Sequence, residues 1–342
     1  MIETLTGKFF RSFILKLLLF VTTVMLMDLI IGYVLRKNYF SQKAGPDYLT
    51  IYSMEKSEAD MFIFGSSRAT NILNPDIFKE QLNLSCYNAG RPGEPIFYHY
   101  AVLKSVLKRT KPKIIVLSFD AGLFNINPES YDRLSVLLPF YTSHPEIRSI
   151  LSLKRPHEKV KMLSHIYPYN SHLISIISGN SKYAKMRYAY SNGFSALKKT
   201  YTGPIKTMDY SDKKVLDSIK INVCKAFIQE CYNSGVELYI VCPPYLLNST
   251  GTDLSLIEGK RIAHEYNINF LDYSRDTFFT KRIELYADFR HLNEKGANLF
   301  SHMVAEKIKQ LRNGNEKVVN EKKHLHIDNL TVFDFKIKSS AK

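Results

Sequence analysis

The feature that most limits what this chain can fold into lies near its start, the apolar run FILKLLLFVTTVMLMDLIIGYVL at Phe13–Leu35. Its last nineteen residues, Leu17–Leu35, carry one charge, Asp28. A helix of about 20 apolar residues crosses the hydrocarbon core of a bilayer. Apolar side chains occupy every face, so this is no amphipathic surface helix. A cleaved signal peptide should end on small residues. The run ends instead in Tyr33-Val34-Leu35-Arg36-Lys37, which favours an uncleaved anchor. A carboxylate is costly at mid-bilayer, so Asp28 is expected near one end or against a partner. Lys16 can snorkel to the interface. Lys8, Arg11 and Lys16 precede the core and Arg36, Lys37 and Lys43 follow it, nearly a tie by the positive-inside rule. A short stub before a long soluble domain fits an amino end inside and the bulk outside. No second run reaches membrane length.

The remainder has ample material for a core: of 342 residues, 45% are hydrophobic and 13% aromatic, which excludes a disordered or collagen-like chain. The net charge of +15 is compatible with nucleic acid, an anionic membrane surface or an anionic polymer. The lysines are scattered, and no helix-turn-helix, RNA-binding aromatic motif or zinc finger accompanies them, so nucleic acid is not an expected partner. Cys86, Cys224, Cys231 and Cys242 form no Cys-x-x-Cys pair, and no zinc site is expected. The expected organisation is an anchor at 1–36, a polar linker at 37–58, an α/β domain at 59–312 with an insertion at about 121–212, and a basic tail at 313–342.

Short apolar runs alternate with helical periods. Strands are predicted at Asp60–Gly65, Cys86–Asn88, Lys113–Phe119, Val236–Val241 and Ile268–Leu271, with a candidate edge strand at Leu330–Ile337. Helices are predicted at Asn74–Leu82, Ile96–Lys108, Lys214–Ser234, Ser255–Tyr266 and His291–Leu311. The middle region has no clean strand–helix rhythm and reads as a helical insertion over the site. Alternation of this kind builds a parallel sheet with right-handed crossovers, and ligands bind such sheets at the carboxyl ends of the strands.

The chemistry-bearing residues fall at those ends. Gly65-Ser66-Ser67-Arg68 follows the first strand, Asn88 to Gly93 the second, and Ser118-Phe119-Asp120 the third. Asp288-Phe289-Arg290-His291-Leu292-Asn293 precedes the last helix, with Gly296 beyond. A serine at a strand-to-helix turn is exposed and close to free backbone amides. It becomes a nucleophile when a base takes its proton, a role for His291, with Asp288 to orient the imidazole. The plainer readings are a helix N-cap for Ser67, a surface helix-start residue for His291, a capping carboxylate for Asp288 and a turn glycine for Gly93. Arg68 and Arg290 flank the two halves and are candidates for an anionic substrate or for surface ion pairs.

Between about Asp60 and Leu311 the chain resembles the SGNH/GDSL hydrolase superfamily. Gly65-Ser66-Ser67 matches its Gly-Asp-Ser block, Asn88 and Gly93 its second block, and Asp288-x-x-His291 with Leu-Asn-x-x-Gly its last. The Gly-Ser-Ser form is similar to membrane-anchored branches that handle acyl groups on cell-surface polymers. The resemblance implies a three-layer α/β/α flavodoxin-like fold, Ser67 as nucleophile and an oxyanion hole formed with Gly93. It implies no metal or organic cofactor. The third block departs: Asp120 stands where the oxyanion-hole Asn belongs. An ionised carboxylate cannot donate to an oxyanion, so Asp120 is protonated, turned away, or used elsewhere, as in holding Arg91 or a substrate hydroxyl. The function so implied is a bacterial serine esterase or O-acyltransferase, its domain periplasmic or extracellular. Its substrate would be the acyl esters, acetyl above all, of a surface polysaccharide or lipid-linked glycan, with a membrane acyl-donor protein as a candidate partner. The other reading is a non-catalytic glycan-binding accessory of a polysaccharide assembly system.

Overall fold

The computed structural model describes residues 2–155, 157–187, 190–209, 215–251 and 253–319. The candidate strand Leu330–Ile337 lies outside them. The chain divides into two compact units, one of residues 1–51 with 131–188 and one of 52–130 with 189–342.

In chain order the elements begin with helices α1 (Ile2–Phe40) and α2 (Pro46–Glu55), strand β1 (Met61–Phe64), helices α3 (Ser67–Ile72) and α4 (Pro75–Leu82), and strand β2 (Cys86–Asn88). Then come α5 (Ile96–Arg109), β3 (Ile114–Ser118) and the short helices α6 (Glu129–Asp132), α7 (Arg148–Leu151) and α8 (Glu158–Lys161). After α9 (Leu173–Asn180) and α10 (Ala184–Arg187) follow β4 (Lys206–Asp209), α11 (Ser218–Asn233), β5 (Glu237–Cys242) and β6 (Leu247–Thr250). The last are α12 (Leu254–Glu265), β7 (Asn269–Asp272), α13 (Thr277–Thr280) and α14 (Glu294–Val319).

The larger unit is built on a five-stranded sheet in the order β2-β1-β3-β5-β7, every pair parallel. Every residue of β1 and β3 is buried, as strands covered on both faces require. Alternation sends Met61, Ile63, Ile114, Val116, Tyr239 and Val241 into one core with Ile72 and Phe78 of α3 and α4 and with Phe300, Val304 and Ile308 of α14. The opposite face carries Phe62, Phe64, Ile115 and Leu117, all buried, and is covered by α5 and α11, with Phe64 edge-on to Phe227 at 5.6 Å. Helices on both faces make the three layers that the motifs predict. This strand order is that of the flavodoxin-like doubly wound sheet, whose direction reverses between β1 and β3 and opens a crevice at their carboxyl ends.

Three segments differ from the sequence reading. Residues 37–58, read as a polar linker, are largely helical: α1 continues to Phe40, and α2 buries Leu49, Ile51 and Met54. The helix expected from Lys214 starts at Ser218, because Asp217 caps it by accepting from the amides of Ile219 and Lys220. The middle region is not one insertion. Residues 131–188 fold with α1 as short helices and 3-10 turns, while β4, from the rest of it, pairs in parallel with β6 in a second, two-stranded sheet. In the smaller unit Tyr39 is fully buried, its ring 5.9 Å from Phe140, 5.8 Å from Tyr169 and 5.0 Å from His172.

Candidate active site

Ser67 is the first residue of α3, directly after β1 and the turn Gly65-Ser66. Gly65 has φ +142°, and a Cβ there would lie 2.7 Å from that of Ser118 and 2.9 Å from that of Ala69, so only glycine lets the chain turn this sharply. Ser66 is the N-cap and accepts from the amide of Arg68 at 3.3 Å. The capping role foreseen for Ser67 thus falls to Ser66, and the Ser67 hydroxyl is left for other work. It lies 2.8 Å from Nε2 of His291. On the far side of the ring, Nδ1 is 3.0 Å from each carboxylate oxygen of Asp288.

The direction of these bonds follows from the donor inventory. An ionised carboxylate only accepts, so Nδ1 carries the hydrogen and Nε2 is free to accept the Ser67 proton. Burial opposes ionisation of Asp288, but the amides of Arg290 at 2.8 Å and His291 at 2.9 Å, with the imidazole itself, hold its carboxyl below the usual carboxylate value. Burial pushes His291 below the ordinary histidine value; Asp288 pulls it back up, and the charges of Arg68 and Arg290 push it down again. The net shift is downward, which favours the neutral imidazole, the form that can accept a proton.

His291 is not part of the last helix, which begins at Glu294. The preceding loop is shaped by Asn293, whose amide donates to the carbonyl of Glu284 at 2.8 Å and whose Oδ1 accepts from the amide of Gly296 at 3.0 Å. A Cβ at Gly296 would collide with the carbonyl oxygen of Leu285. The Leu-Asn-x-x-Gly portion of the motif therefore sets the backbone that presents His291.

Asp120 does not point to Arg91. Its carboxylate accepts a short hydrogen bond from the Ser66 hydroxyl and lies 3.6 Å from Nη1 of Arg68. Arg91 is 3.7 Å from Glu94 and packs over the ring of Tyr98. Arg68, a candidate for binding an anionic substrate, is in fact 1% exposed. Its Nη2 donates to the carbonyls of Pro243 at 2.6 Å and Pro244 at 2.8 Å, and its guanidinium lies 3.4 Å over the ring of Tyr245. A buried cation must be paired, and Asp120 with these carbonyls is what surrounds it. Arg68 thus ties the loop after β5 to the helix that starts with Ser67.

Asn88 is buried and committed to the scaffold. Its amide donates to the carbonyls of Ala69 and Leu73, both at 2.8 Å, and its Oδ1 accepts from the amide of Gly90 at 3.0 Å. It fixes α3 to the end of β2 rather than facing the crevice. Gly93 sits in the turn that follows with φ +76°, a left-handed conformation suited to glycine. Among the described residues its amide has no partner. Arg290 is exposed beside the triad. The sequence places Pro243 and Pro244 at the end of the strand that is β5, but nothing in it assigns them, or Tyr245, the role of clamping Arg68. No group of three or more His, Cys, Asp or Glu side chains among the described residues is arranged to hold a metal.

No protein-family model matches the chain, and no curated protein matches it. Among solved structures it is similar to the acetyl xylan esterase AlAXEase, with 14% identity over 73% of this chain and 98% of that one and a TM-score of 0.37. It is also similar to the psychrotrophic esterase EstA from Pseudoalteromonas sp., with 9% identity over 74% and 98% and a TM-score of 0.40.

Proposed function

We propose that the protein is a membrane-anchored serine esterase or O-acyltransferase of bacterial origin. It would act on acyl esters, acetyl above all, of a cell-surface polysaccharide or lipid-linked glycan. The observation that carries this reading is the continuous chain from Ser67 through His291 to Asp288 at hydrogen-bond distances, set at the crevice of a doubly wound sheet.

In the proposed reaction, His291 Nε2 takes the Ser67 proton as Oγ attacks the ester carbonyl. Asp288 stabilises the imidazolium that forms. The amides of Ser67, at the open start of α3, and of Gly93 are the donors assigned to the oxyanion. His291 then passes its proton to the departing alkoxide. Water or a sugar hydroxyl, deprotonated by the same imidazole, releases the acyl group from Ser67. Hydrolysis and transfer share this acyl-serine and differ only in the second nucleophile. A carboxylate at Asp120, in place of an oxyanion-hole donor, favours a glycan binder without catalysis. Its pairing with Arg68 and Ser66 gives that carboxylate a structural duty, so the catalytic reading stands first.

The anchor reading rests on α1, which is long and apolar enough over Gly7–Phe40 to cross a membrane, with a mean hydropathy of 2.4 in its most apolar window. Its end is also packed into a folded unit through Tyr39, which suits a retained helix better than a cleaved signal. The proposed topology places the catalytic unit outside the cytoplasm, within reach of glycans carried on lipid. The test is acetate release from an O-acetylated polysaccharide and acetyl transfer to a glycan acceptor by the purified full chain. Both should vanish in Ser67→Ala. Release or transfer that persists in that variant would exclude the proposed nucleophile.

A further inference from the structure

Asp28, the one acid in the apolar run, is not left to lipid. Its carboxylate accepts from the Ser164 hydroxyl at 2.6 Å, from the amides of His165 at 2.7 Å and Ile166 at 3.4 Å, and lies 3.2 Å from Nδ1 of His165. One turn further along α1, Gly32 gives the room: a Cβ there would strike His165. Asp28 stands eight residues before Arg36, where the apolar run ends, which is about 12 Å along a helix. If α1 spans the bilayer as read above, whatever bonds Asp28 lies at that depth too. Water would satisfy an exposed carboxylate unaided. Protein donors converging on it are what a carboxylate below the headgroups requires.

The segment that supplies those donors exposes apolar side chains. Leu163 is 77% exposed, and on α9, which packs on α1, Ile174 is 84% and Ile177 74% exposed while Ile176 turns inward at 6%. Lys159, Lys182 and Lys185 are exposed in the same unit, the composition that suits an anionic headgroup layer. We propose that residues 160–177 form a second membrane-contacting element. It enters the leaflet beside α1, closes over Asp28, and has its outer face covered by acyl chains. The occupant is the lipid itself, because this segment packs on and bonds to a helix whose own apolar side chains are left exposed. The unit of α1 with residues 131–188 then serves as a membrane-embedded collar rather than a tether.

This inference rests on the anchor reading, and its test separates the two. The full chain is reconstituted in phosphatidylcholine–phosphatidylglycerol vesicles, carrying the NBD fluorophore on Leu163→Cys, Ile174→Cys or Ile177→Cys. The four native cysteines are buried and stay unlabelled in the folded protein. Leu19→Cys in α1 is the lipid reference, and Tyr232→Cys, 63% exposed on α11, is the aqueous one. Doxyl-phosphatidylcholine should quench the three test positions to a degree approaching Leu19→Cys, with iodide quenching only Tyr232→Cys. Lipid quenching at Leu19→Cys with iodide quenching at the test positions overturns the inference and leaves the anchor intact. Protection of the test positions from both quenchers also overturns it, since a protein partner or second copy then covers them. Loss of lipid quenching at Leu19→Cys rejects the anchor and the inference together.

Discussion

His291 stands under opposing influences, and its position among them sets the pH dependence of the site. Burial lowers its pKa first, Asp288 raises it, and Arg68 and Arg290 lower it. Catalysis needs the neutral ring. Activity should therefore rise with pH through an apparent pKa below the ordinary histidine value of about 6.5 and level off above it. Arg290→Ala removes a positive charge that disfavours the imidazolium, so its acid limb should move to higher pH, as initial rates across pH 4–8 would show. A limb that moves to lower pH would contradict the assignment. Asp288→Asn leaves Nδ1 without its acceptor and allows the wrong tautomer; kcat should fall by about 10⁴-fold. At Arg68 the consequence is structural. Arg68→Met leaves Asp120 buried without its cation and should cost about 3–5 kcal/mol, read as a lowered unfolding transition. The double variant Arg68→Met/Asp120→Leu should recover a large part of that loss, since removing both partners leaves no orphaned charge.

Among the elements, the start of α14 decides where His291 sits. Gly296→Ala forces a Cβ against the carbonyl of Leu285. The expected result is a loss of about 1–3 kcal/mol, as for overpacking elsewhere, together with a fall in kcat that thermal stabilisation by additives does not restore. An unchanged kcat would show that the loop tolerates the shift. This element was legible in the sequence because its logic is local. Asp288, His291, Asn293 and Gly296 bond to one another or to the turn at Ile283–Leu285 just before them, so their spacing carries their geometry. The strands were legible for a similar reason, as short apolar runs buried on both faces. The Asp120–Arg68 pairing was not, because it joins the ends of β1 and β3 across the sheet and nothing in either segment names the other. Asn88 kept its place in the motif, but its work is to hold α3, a role that spacing alone does not separate from oxyanion binding. The segment 131–188 was opaque because 3-10 turns and helices of four to eight residues leave too little period to read.

At the scale of the whole molecule, the smaller unit packs the end of the apolar helix α1 into a fold. A fragment beginning at residue 44 discards Tyr39, which is 0% exposed among Phe140, Tyr169 and His172. Compared with a fragment beginning at residue 36, it should lose about 3 kcal/mol or more, the usual cost of removing a buried aromatic, and limited proteolysis should cut it first within 131–188. Equal protease resistance of the two fragments would show that Tyr39 is dispensable. Whether Ser67 is an activated nucleophile is read by treating the full chain with a fluorophosphonate and mapping the adduct by peptide mass spectrometry. A single phosphonyl adduct on Ser67 is expected, absent in Ser67→Ala and in His291→Ala. A folded wild-type chain that takes no adduct on Ser67, or one labelled equally well without His291, would contradict it.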